Sequence, residues 1–440
     1  MTNYRPFKKE IERLCWKDLL ELHEVSEGWY VEYKKEVPEA KSITKSVSSF
    51  ANQYGGWLFY GIAETLDGSN RAGEIIGIQK DAMTAAMKRV RDAINRGISP
   101  VPFYKVKVVY NNQKNLGVIV VQVTLGMNAP FIHQSGRIYF RKGDSSEPIE
   151  ANTRLDLEEL LKRQERAKKS LRDFVKQDLS LMQSESAPLL MLKIKPDFRY
   201  WNMIERKIKF NEYCSIMRGK TDAYFDIPFD NNYSGPRCFV SRQVQTNNPL
   251  ENVLTLFYYY DCSASITIPL NVLNIANLDD RFSFSRPILE MIYEKKLRSI
   301  NLIDLNSLFT LIYAIILKYF ALIKYERQEL DFLCKMAAYN MSNKMCFLDD
   351  KAFVDNISKN GLPIIHQSNF LIPEGDEIED YISIKNKDPR GTAPKDIRRT
   401  IGNVMAITAP LLSYLGIPAE IQADMDFGRY FVPKQNKKGA

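Results

Sequence analysis

The stretch of residues 41–64 constrains the fold more than any other part of the chain, because it joins a helical pattern to an apolar run through two glycines. Ile43, Val47 and Phe50 recur at helical spacing and predict an amphipathic helix over residues 41–54. Gly55-Gly56 then ends that helix, since glycine adopts positive φ without steric cost. The apolar residues 57–62 follow at once and predict a buried strand. Because only two glycines separate this helix from the strand, both elements are expected to pack in the same core.

The elements around this stretch complete an N-terminal α+β domain. Further helices are predicted over residues 4–24 and over 81–95, where Asp81 is the expected cap. The other predicted strands are 29–34, 104–110, 117–124 and 137–141, and residues 65–73 are predicted to form a polar turn.

The rest of the chain is predicted to form a linker and a second α+β domain. Residues 151–181 are highly charged and helical in pattern, so the predicted boundaries are 1–150, a linker helix over 151–181, and a domain of unassigned role over 182–440. Strand patterns at 189–195, 238–245 and 253–270 precede largely helical patterns at 305–340 and 394–415.

Composition and charge narrow the class of protein. The net charge of the 440 residues is +8, and residues 1–170 hold 27 Lys and Arg against 21 Asp and Glu. A basic N-terminal third is compatible with an anionic partner such as nucleic acid, and equally with an ordinary solvated surface. The six cysteines form no CxxC pair, and residues 1–20 do not have the pattern of a signal peptide, so a cytoplasmic location is expected. The apolar run at 308–322, interrupted by Lys318, is predicted to be a buried helix, and no membrane partner is expected.

Three carboxylates stand out by their positions beside predicted strands. Glu27 and Glu32 bracket the strand at 29–34, and Glu64 follows the buried strand. Side chains alternate along a strand, but a bend at Gly28 would bring Glu27 round to the face of Glu32. The three glutamates and Lys34 could then meet at one end of the sheet and hold Mg²⁺ or Mn²⁺, whose preferred ligands are oxygens. The alternative is that these are ordinary surface glutamates near strand ends.

Three motifs in residues 20–150 together resemble the Schlafen AlbA-like domain. Glu27 to Lys34 resembles its E-x4-E-[FY]-K motif, residues 49–64 resemble AFANT-x-GG followed by a strand ending in GV-x-[DE], and residues 139–143 resemble the closing Y-x-R-x-G strand. The resemblance implies a metal-dependent endoribonuclease with Glu27, Glu32 and Glu64 as catalytic metal ligands and Lys34 as the nearby basic residue. Residue 64 is glutamate here, where the nucleases of the family use aspartate. The Cys/His zinc site of the animal Schlafens is not found in the sequence.

Basic and aromatic side chains in the same region are candidates for nucleic-acid contacts. The helix at 81–95 and its end contribute Lys88, Arg89, Arg91 and Arg96, whose alternative interpretation is a solvated helix face. The remaining candidates for phosphate contact are Lys35, Arg137, Arg141 and Lys142. Trp29, Tyr30 and Tyr60 could stack on an unpaired base, or belong to the core.

Two functions therefore remain in competition. The first is a metal-dependent endoribonuclease acting on structured RNA such as tRNA, working as a homodimer because one Schlafen-like lobe is recognisable. The second is a non-catalytic DNA-binding regulator whose C-terminal region is a sensor or dimerisation module. A structural role in a larger assembly, with a vestigial acidic cluster, is a third hypothesis. The sequence contains no GxxxxGK[ST] loop, and His23, His133 and His366 lie far apart along it.

Overall fold

The computed structural model describes residues 4–65, 69–141, 147–177, 187–204, 207–220, 227, 229–243, 253–273, 282–297, 300–326, 330–385 and 397–425. These residues fall into two compact units. Unit 1 contains residues 1–170 and 198–203, and unit 2 contains residues 171–197 and 204–440. Both units contain helices together with runs of consecutive, mostly antiparallel strands, so the predicted α+β class is confirmed. The domain boundaries predicted at residues 150 and 181 remain a prediction.

Unit 1 is built on a five-stranded sheet with strand order β1-β2-β8-β5, in which β7 also pairs with β8. Its strands and helices are β1 Val31–Lys34, α1 Ala40–Asn52, β2 Gly56–Tyr60, β3 Ile62–Glu64, β4 Ala72–Ile75, β5 Ile78–Gln79, α2 Met83–Gly97, β6 Ile98–Ser99, β7 Tyr104–Asn111, β8 Leu116–Val123, β9 Ile132–His133, β10 Tyr139–Phe140 and β11 Ile149–Glu150, followed by α3 Arg154–Lys176, which continues into unit 2. Within this sheet β1 and β2 are parallel, whereas β8 pairs with its neighbours antiparallel.

Opposite faces of the unit 1 sheet pack into two separate apolar cores. Ile43, Phe50 and Val90 from α1 and α2 pack with Leu58 on one side. On the other side the N-terminal segment contributes Phe7, Leu19 and Leu22, which pack with alternate residues of β1 and β2. The period-two alternation of a strand therefore places Glu32 and Lys34 on the opposite face from Val31 and Tyr33.

Gly55 and Gly56 are both required after α1, but only Gly55 has the positive φ that the sequence predicts for this pair. Gly55 has a φ of +74° and donates its N–H to the carbonyl of Phe50 at 2.8 Å. A Cβ on Gly56 would lie 2.2 Å from the Phe50 ring and 2.8 Å from the Tyr30 carbonyl oxygen. The close approach of α1 to the sheet thus depends on residues without side chains.

Several predicted elements of unit 1 differ in the structure. Residues 4–24 form two short 3₁₀ helices, Ile11–Arg13 and Trp16–Glu24, instead of one α-helix. Their backbone bonds run from residue i+3 to residue i, as in Asp18 to Cys15 at 3.0 Å. Helix α2 begins at Met83, and Asp81 accepts only the N–H of its neighbour Ala82, so Asp81 is not its cap. The predicted turn at 65–73 contains the start of β4, which pairs with β3.

Unit 2 contains an eight-stranded sheet with strand order β13-β14-β15-β16-β12-β19-β22, in which β23 also pairs with β19. A four-stranded sheet has the order β17-β18-β20-β21. The elements are β12 Leu189–Pro196, α4 Phe210–Arg218, β13 Asn231–Ser234, β14 Cys238–Arg242, β15 Thr255–Tyr259, β16 Ala264–Pro269, β17 Val272–Leu273, α5 Ser285–Glu294, β18 Asn301–Asp304, α6 Leu305–Tyr325, β19 Phe332–Tyr339, β20 Lys344–Phe347, α7 Lys351–Asn360, β21 Ile364–Ile365, β22 Phe370–Ile372, β23 Ile382–Ile384, α8 Ile397–Tyr414 and α9 Ala419–Asp424.

The prediction of helix over 305–340 is right for its first part and wrong for its second. Helix α6 ends at Tyr325, and residues 332–339 form β19, which is buried along its whole length beside β12. In the described part of the chain α6 alone has the length and hydropathy of a membrane span, and 67% of its apolar window is buried inside the protein. Such burial is typical of a core helix.

Candidate functional site

The candidate site is a cluster of three glutamates around Lys34, which we call the glutamate cluster. Lys34 lies at the C-terminal end of β1, beside Tyr60 of β2, and Glu64 ends the short β3 that follows. Glu32 lies two residues earlier on β1 and therefore on the same face as Lys34. The parallel pairing of β1 with β2 thus brings their C-terminal ends, and the residues just beyond them, to one edge of the sheet.

Glu27 joins the cluster because the chain bends sharply before β1. Gly28 has a φ of +150° and donates its N–H to the Val31 carbonyl at 3.0 Å, which folds the preceding residue back along the strand. The Glu27 carboxylate then accepts the N–H of Tyr33 at 2.8 Å. The bend at Gly28 that the sequence predicts is present.

The three carboxylates converge on the ammonium group of Lys34. Its Nζ lies 3.6 Å from Glu27 Oε1, 3.8 Å from Glu32 Oε1 and 3.7 Å from Glu64 Oε1. The side chains of Glu27 and Glu32 are only 1% and 5% exposed, whereas those of Lys34 and Glu64 are 31% and 40% exposed. The cluster therefore has a buried floor and one open side, formed by Lys34 and Glu64.

Arg141 is part of the floor of the cluster, and not a contact residue for nucleic acid as predicted. It is wholly buried, and it donates hydrogen bonds to the second carboxylate oxygen of Glu32 and, at 2.8 Å, to the carbonyl of Gly28. Its guanidinium group lies 4.0 Å from the centre of the Phe50 ring. A side chain without exposed surface cannot reach a phosphate, so this prediction is wrong.

Burial and the neighbouring charges shift the pKa values of the cluster in opposite directions. Burial raises the pKa of Glu27, although Lys34 and the Tyr33 amide act in the opposite direction. Burial alone would lower the pKa of Lys34, but the carboxylates of Glu32, Glu27 and Glu64 together raise it. For Arg141, burial outweighs the attraction of the Glu32, Glu27 and Glu147 carboxylates and lowers the pKa. For Glu27, Lys34 and Arg141, burial thus disfavours the charged form and the oppositely charged partners favour it.

Hard oxygen donors of this kind suit Mg²⁺ or Mn²⁺, and the position they surround holds a cation, the Lys34 ammonium group. The oxygen-to-nitrogen distances are those of ion pairs, and Mg²⁺ requires oxygens at about 2.1 Å. Accordingly, no group of three or more His, Cys, Asp or Glu side chains in the described ranges is spaced to hold a metal ion as it stands. The carboxylate oxygens of the three glutamates are therefore suitable ligands for a divalent cation, provided that the Lys34 ammonium group moves out from between them.

The other predicted contact residues lie outside the glutamate cluster. Lys88, Arg89, Arg91 and Arg96 are exposed on the solvent face of α2, opposite its buried residues Val90 and Ile94. Lys35 is also exposed, directly after β1. Arg137 is exposed and forms an ion pair with Glu150 at 3.1 Å. Lys142 lies outside the described residues.

The predicted aromatic residues divide between surface and core. Tyr60 is buried, and no described residue accepts its hydroxyl proton. Trp29 and Tyr30 are half-buried, and each packs against Tyr54, with ring centres 5.2 Å and 5.8 Å apart.

Two polar residues of α1 make buried hydrogen bonds that the sequence pattern did not predict. Ser46 of α1 donates its hydroxyl proton to Glu32 Oε1 at 2.8 Å. Asn52 donates to the carbonyls of Phe131 and Tyr139, at 2.9 Å and 3.2 Å, and accepts the Phe131 N–H at 2.8 Å. These bonds fasten α1 to the strand that precedes Arg141. The available signal was the set of polar residues on the apolar side of α1, which are buried in the structure.

Comparison with known proteins gives one match to a domain family. Residues 27–150 match the family model described as Schlafen, AlbA_2. The chain therefore carries a Schlafen AlbA_2 domain. The matched segment contains all four residues of the glutamate cluster and Arg141. No curated protein matches the chain.

Two solved structures were also compared with the chain. The DIP2311 protein from Corynebacterium diphtheriae is 21% identical over 28% of this chain and 22% of its own, with a TM-score of 0.19. The N-terminal domain of a putative ATP-dependent DNA helicase RecG-related protein from Nitrosomonas europaea is 20% identical over 31% of this chain and 89% of its own, with a TM-score of 0.23. Likeness at this level carries no argument about function.

Proposed function

We propose that this protein binds nucleic acid through its Schlafen AlbA_2 domain and cleaves structured RNA, such as tRNA, in a reaction that depends on Mg²⁺ or Mn²⁺. The domain match supports nucleic-acid binding. The single observation that supports cleavage is the convergence of Glu27, Glu32 and Glu64 within 4 Å of one point. Carboxylates gathered in this way are typical of sites that act on phosphodiesters with a divalent cation.

Each residue of the cluster has a distinct part in this proposal. A divalent cation among the carboxylates would polarise the phosphate and activate water. Glu32 is held in place by Ser46 and Arg141, so its carboxylate stays aimed at the centre. Glu64, the most exposed carboxylate, faces the side from which RNA arrives. Lys34, on the same open side, stabilises the negative charge that builds up on the phosphate.

RNA phosphates would be bound by the exposed basic residues of the domain. On α2 these are Lys88, Arg89, Arg91 and Arg96, and Lys35 lies directly beyond β1. Such contacts position the backbone without reading the sequence of bases. We therefore expect binding to depend on RNA shape and on salt more than on a short sequence motif.

The test is cleavage of tRNA by the purified full chain with Mn²⁺, comparing the wild type with Glu64→Gln. This variant removes one charge at a half-exposed position, so folding and RNA binding should persist while the cleavage rate falls by about a hundredfold or more. Glu74→Gln is the matched control, because Glu74 is exposed on β4, the partner strand of β3, and makes none of the ion pairs of the cluster. Undiminished cleavage by Glu64→Gln would refute the proposed site.

A DNA-binding regulator without catalytic activity is the second candidate. The observation in its favour is that Lys34 and Arg141 already balance much of the charge of the cluster without a metal ion. The same preparations distinguish the two functions. Tight, salt-sensitive binding of duplex DNA with no cleavage of any RNA would favour the regulator.

We also propose that the protein works as a homodimer, in which a second copy supplies the other lobe of a positively charged trough. One segment of the chain, residues 27–150, matches the domain. Sedimentation equilibrium of the full chain, with and without RNA, tests this proposal, and a monomer in both conditions would contradict it.

A further inference from the structure

We propose that Lys34 is the resident counter-ion of the glutamate cluster, and that a divalent cation binds there only by displacing its ammonium group. The inference rests on the proposed function, because it concerns the same cluster. It adds that one lysine of the chain sets the affinity of the site for its cation.

The three glutamates surround one central position, which the Lys34 ammonium group occupies. Lys34 Nζ is almost equidistant from one oxygen of each glutamate, at 3.6–3.8 Å. A second cation at that position would be repelled by the ammonium charge. Lysine and divalent cation therefore exclude each other.

The two buried carboxylates of the cluster are unfavourable without a central cation. The side chains of Glu27 and Glu32 are almost completely buried, and isolated buried carboxylates are strongly unfavourable. Arg141 bonds to the oxygen of Glu32 that faces away from Lys34 and makes no ion pair with Glu27 among those described. Among the ion pairs described, the buried Glu27 carboxylate thus depends on Lys34, or on whatever replaces it.

The Lys34 side chain can move out of the glutamate cluster, whereas that of Arg141 cannot. The Lys34 side chain is 31% exposed, and a flexible four-carbon stem carries its charge. Arg141 has no exposed surface and lies against the Phe50 ring. The two basic residues of the cluster therefore differ in kind: one is exchangeable and the other is a fixed part of the floor.

The experiment is calorimetric titration of the full chain with Mn²⁺ alone, comparing the wild type with Lys34→Met. We expect Lys34→Met to bind Mn²⁺ about tenfold more tightly or better, which corresponds to about 1.4 kcal/mol. Lys114→Met is the matched control, because it removes the same charge from an exposed turn of the same unit, and its affinity should equal that of the wild type.

A second pair of variants protects the test against misfolding of Lys34→Met. Lys34→Met/Glu64→Gln removes one charge of each sign, and it should bind Mn²⁺ more tightly than Glu64→Gln alone. Equal or weaker Mn²⁺ binding by Lys34→Met/Glu64→Gln than by Glu64→Gln would overturn the inference. So would equal or weaker binding by a Lys34→Met protein whose urea unfolding matches that of the wild type. A wild type that cleaves no RNA, together with tighter Mn²⁺ binding by Lys34→Met, would refute the nuclease and leave this inference standing.

Discussion

Arg141 connects two parts of unit 1 that are far apart in the sequence. It lies 109 residues from Glu32 and 113 residues from Gly28, and it bonds to both. Through Gly28 it fixes the bend that places Glu27, and through Glu32 it fixes the strand that carries Lys34. One buried guanidinium group thus holds two of the three carboxylates in position.

We predict that Arg141→Met lowers the free energy of unfolding of unit 1 by about 3–5 kcal/mol, because it removes the buried partner of Glu32 and leaves only Lys34, 3.8 Å away, to balance that carboxylate. Urea unfolding followed by tryptophan fluorescence measures this, since all four tryptophans, Trp16, Trp29, Trp57 and Trp201, lie in unit 1.

Arg137→Met is the control for this prediction. The Arg137 side chain is 58% exposed in its ion pair with Glu150, and exposed pairs contribute about 1 kcal/mol or less. A loss of stability for Arg141→Met as small as that for Arg137→Met would show that Arg141 does not support the cluster.

The convergence of the glutamates could be predicted from the sequence, and the burial of Arg141 could not. Glu32 and Lys34 share a face because of strand periodicity, and a glycine after Glu27 permits the bend. Arginine, by contrast, is expected on the surface, and its burial depends on a partner that only the tertiary structure reveals. The sequence therefore predicted that Arg141 contacts nucleic acid, whereas in the structure it bonds to Glu32 and Gly28 in the floor of the cluster.

Among the elements, the 3₁₀ helix Trp16–Glu24 is fixed at its start by an aspartate. Asp18 accepts the N–H of Cys15 at 2.7 Å and pairs with Lys9. The Lys9 ammonium group and the Cys15 amide hold the pKa of Asp18 at about 2, below its ordinary value of 3.8. Because the folded pKa is the lower one, the stabilisation is present above pH 3.8 and is lost as the pH falls through about 2.

We predict that Asp18→Asn is less stable than the wild type at pH 6, and that the difference disappears on acidification from about pH 4 to pH 2. Urea midpoints by tryptophan fluorescence across this range measure the difference. Glu21→Gln, an exposed change in the same helix, should show no such trend. A difference that is independent of pH would rule out the charge of Asp18 as the cause.

Element type could be predicted where the periodicity was clear, as for α1 and for the hairpin of β7 and β8. It could not be predicted for β19. Residues 332–339 are buried on both faces, so apart from Lys335 they read as one apolar run, which a buried helix also shows. Because the apolar helix α6 comes directly before these residues, the predicted helix was extended through them to residue 340.

At the scale of the whole molecule, salt dependence should reveal which charges meet nucleic acid. We predict that replacing Lys88, Arg89 and Arg91 together by glutamine weakens RNA binding and makes the plot of log affinity against log salt less steep. The slope should fall by about 0.7–0.9 for each phosphate contact that is lost. Filter binding of tRNA at several salt concentrations measures it.

The control removes the same number of charges from unit 2. Lys295, Lys351 and Lys359 are exposed there, and their replacement by glutamine should leave the slope unchanged. Equal slopes for the wild type and both triple variants would exclude α2 from the RNA interface.

The compact unit that contains the glutamate cluster is larger than the segment that matches the domain family. Leu160 of α3 packs into the core formed by α1 and α2, and Arg163 donates to the Asn52 carbonyl at 2.9 Å. Tyr200 packs edge-on against Phe103, with ring centres 4.8 Å apart, although residues 171–197 belong to unit 2. The backbone thus passes from one unit to the other three times. Recombination that transplanted residues 27–150 alone into another gene would transfer the acidic site but leave part of its packing behind. To inherit the site together with its packing requires a longer and discontinuous stretch of sequence.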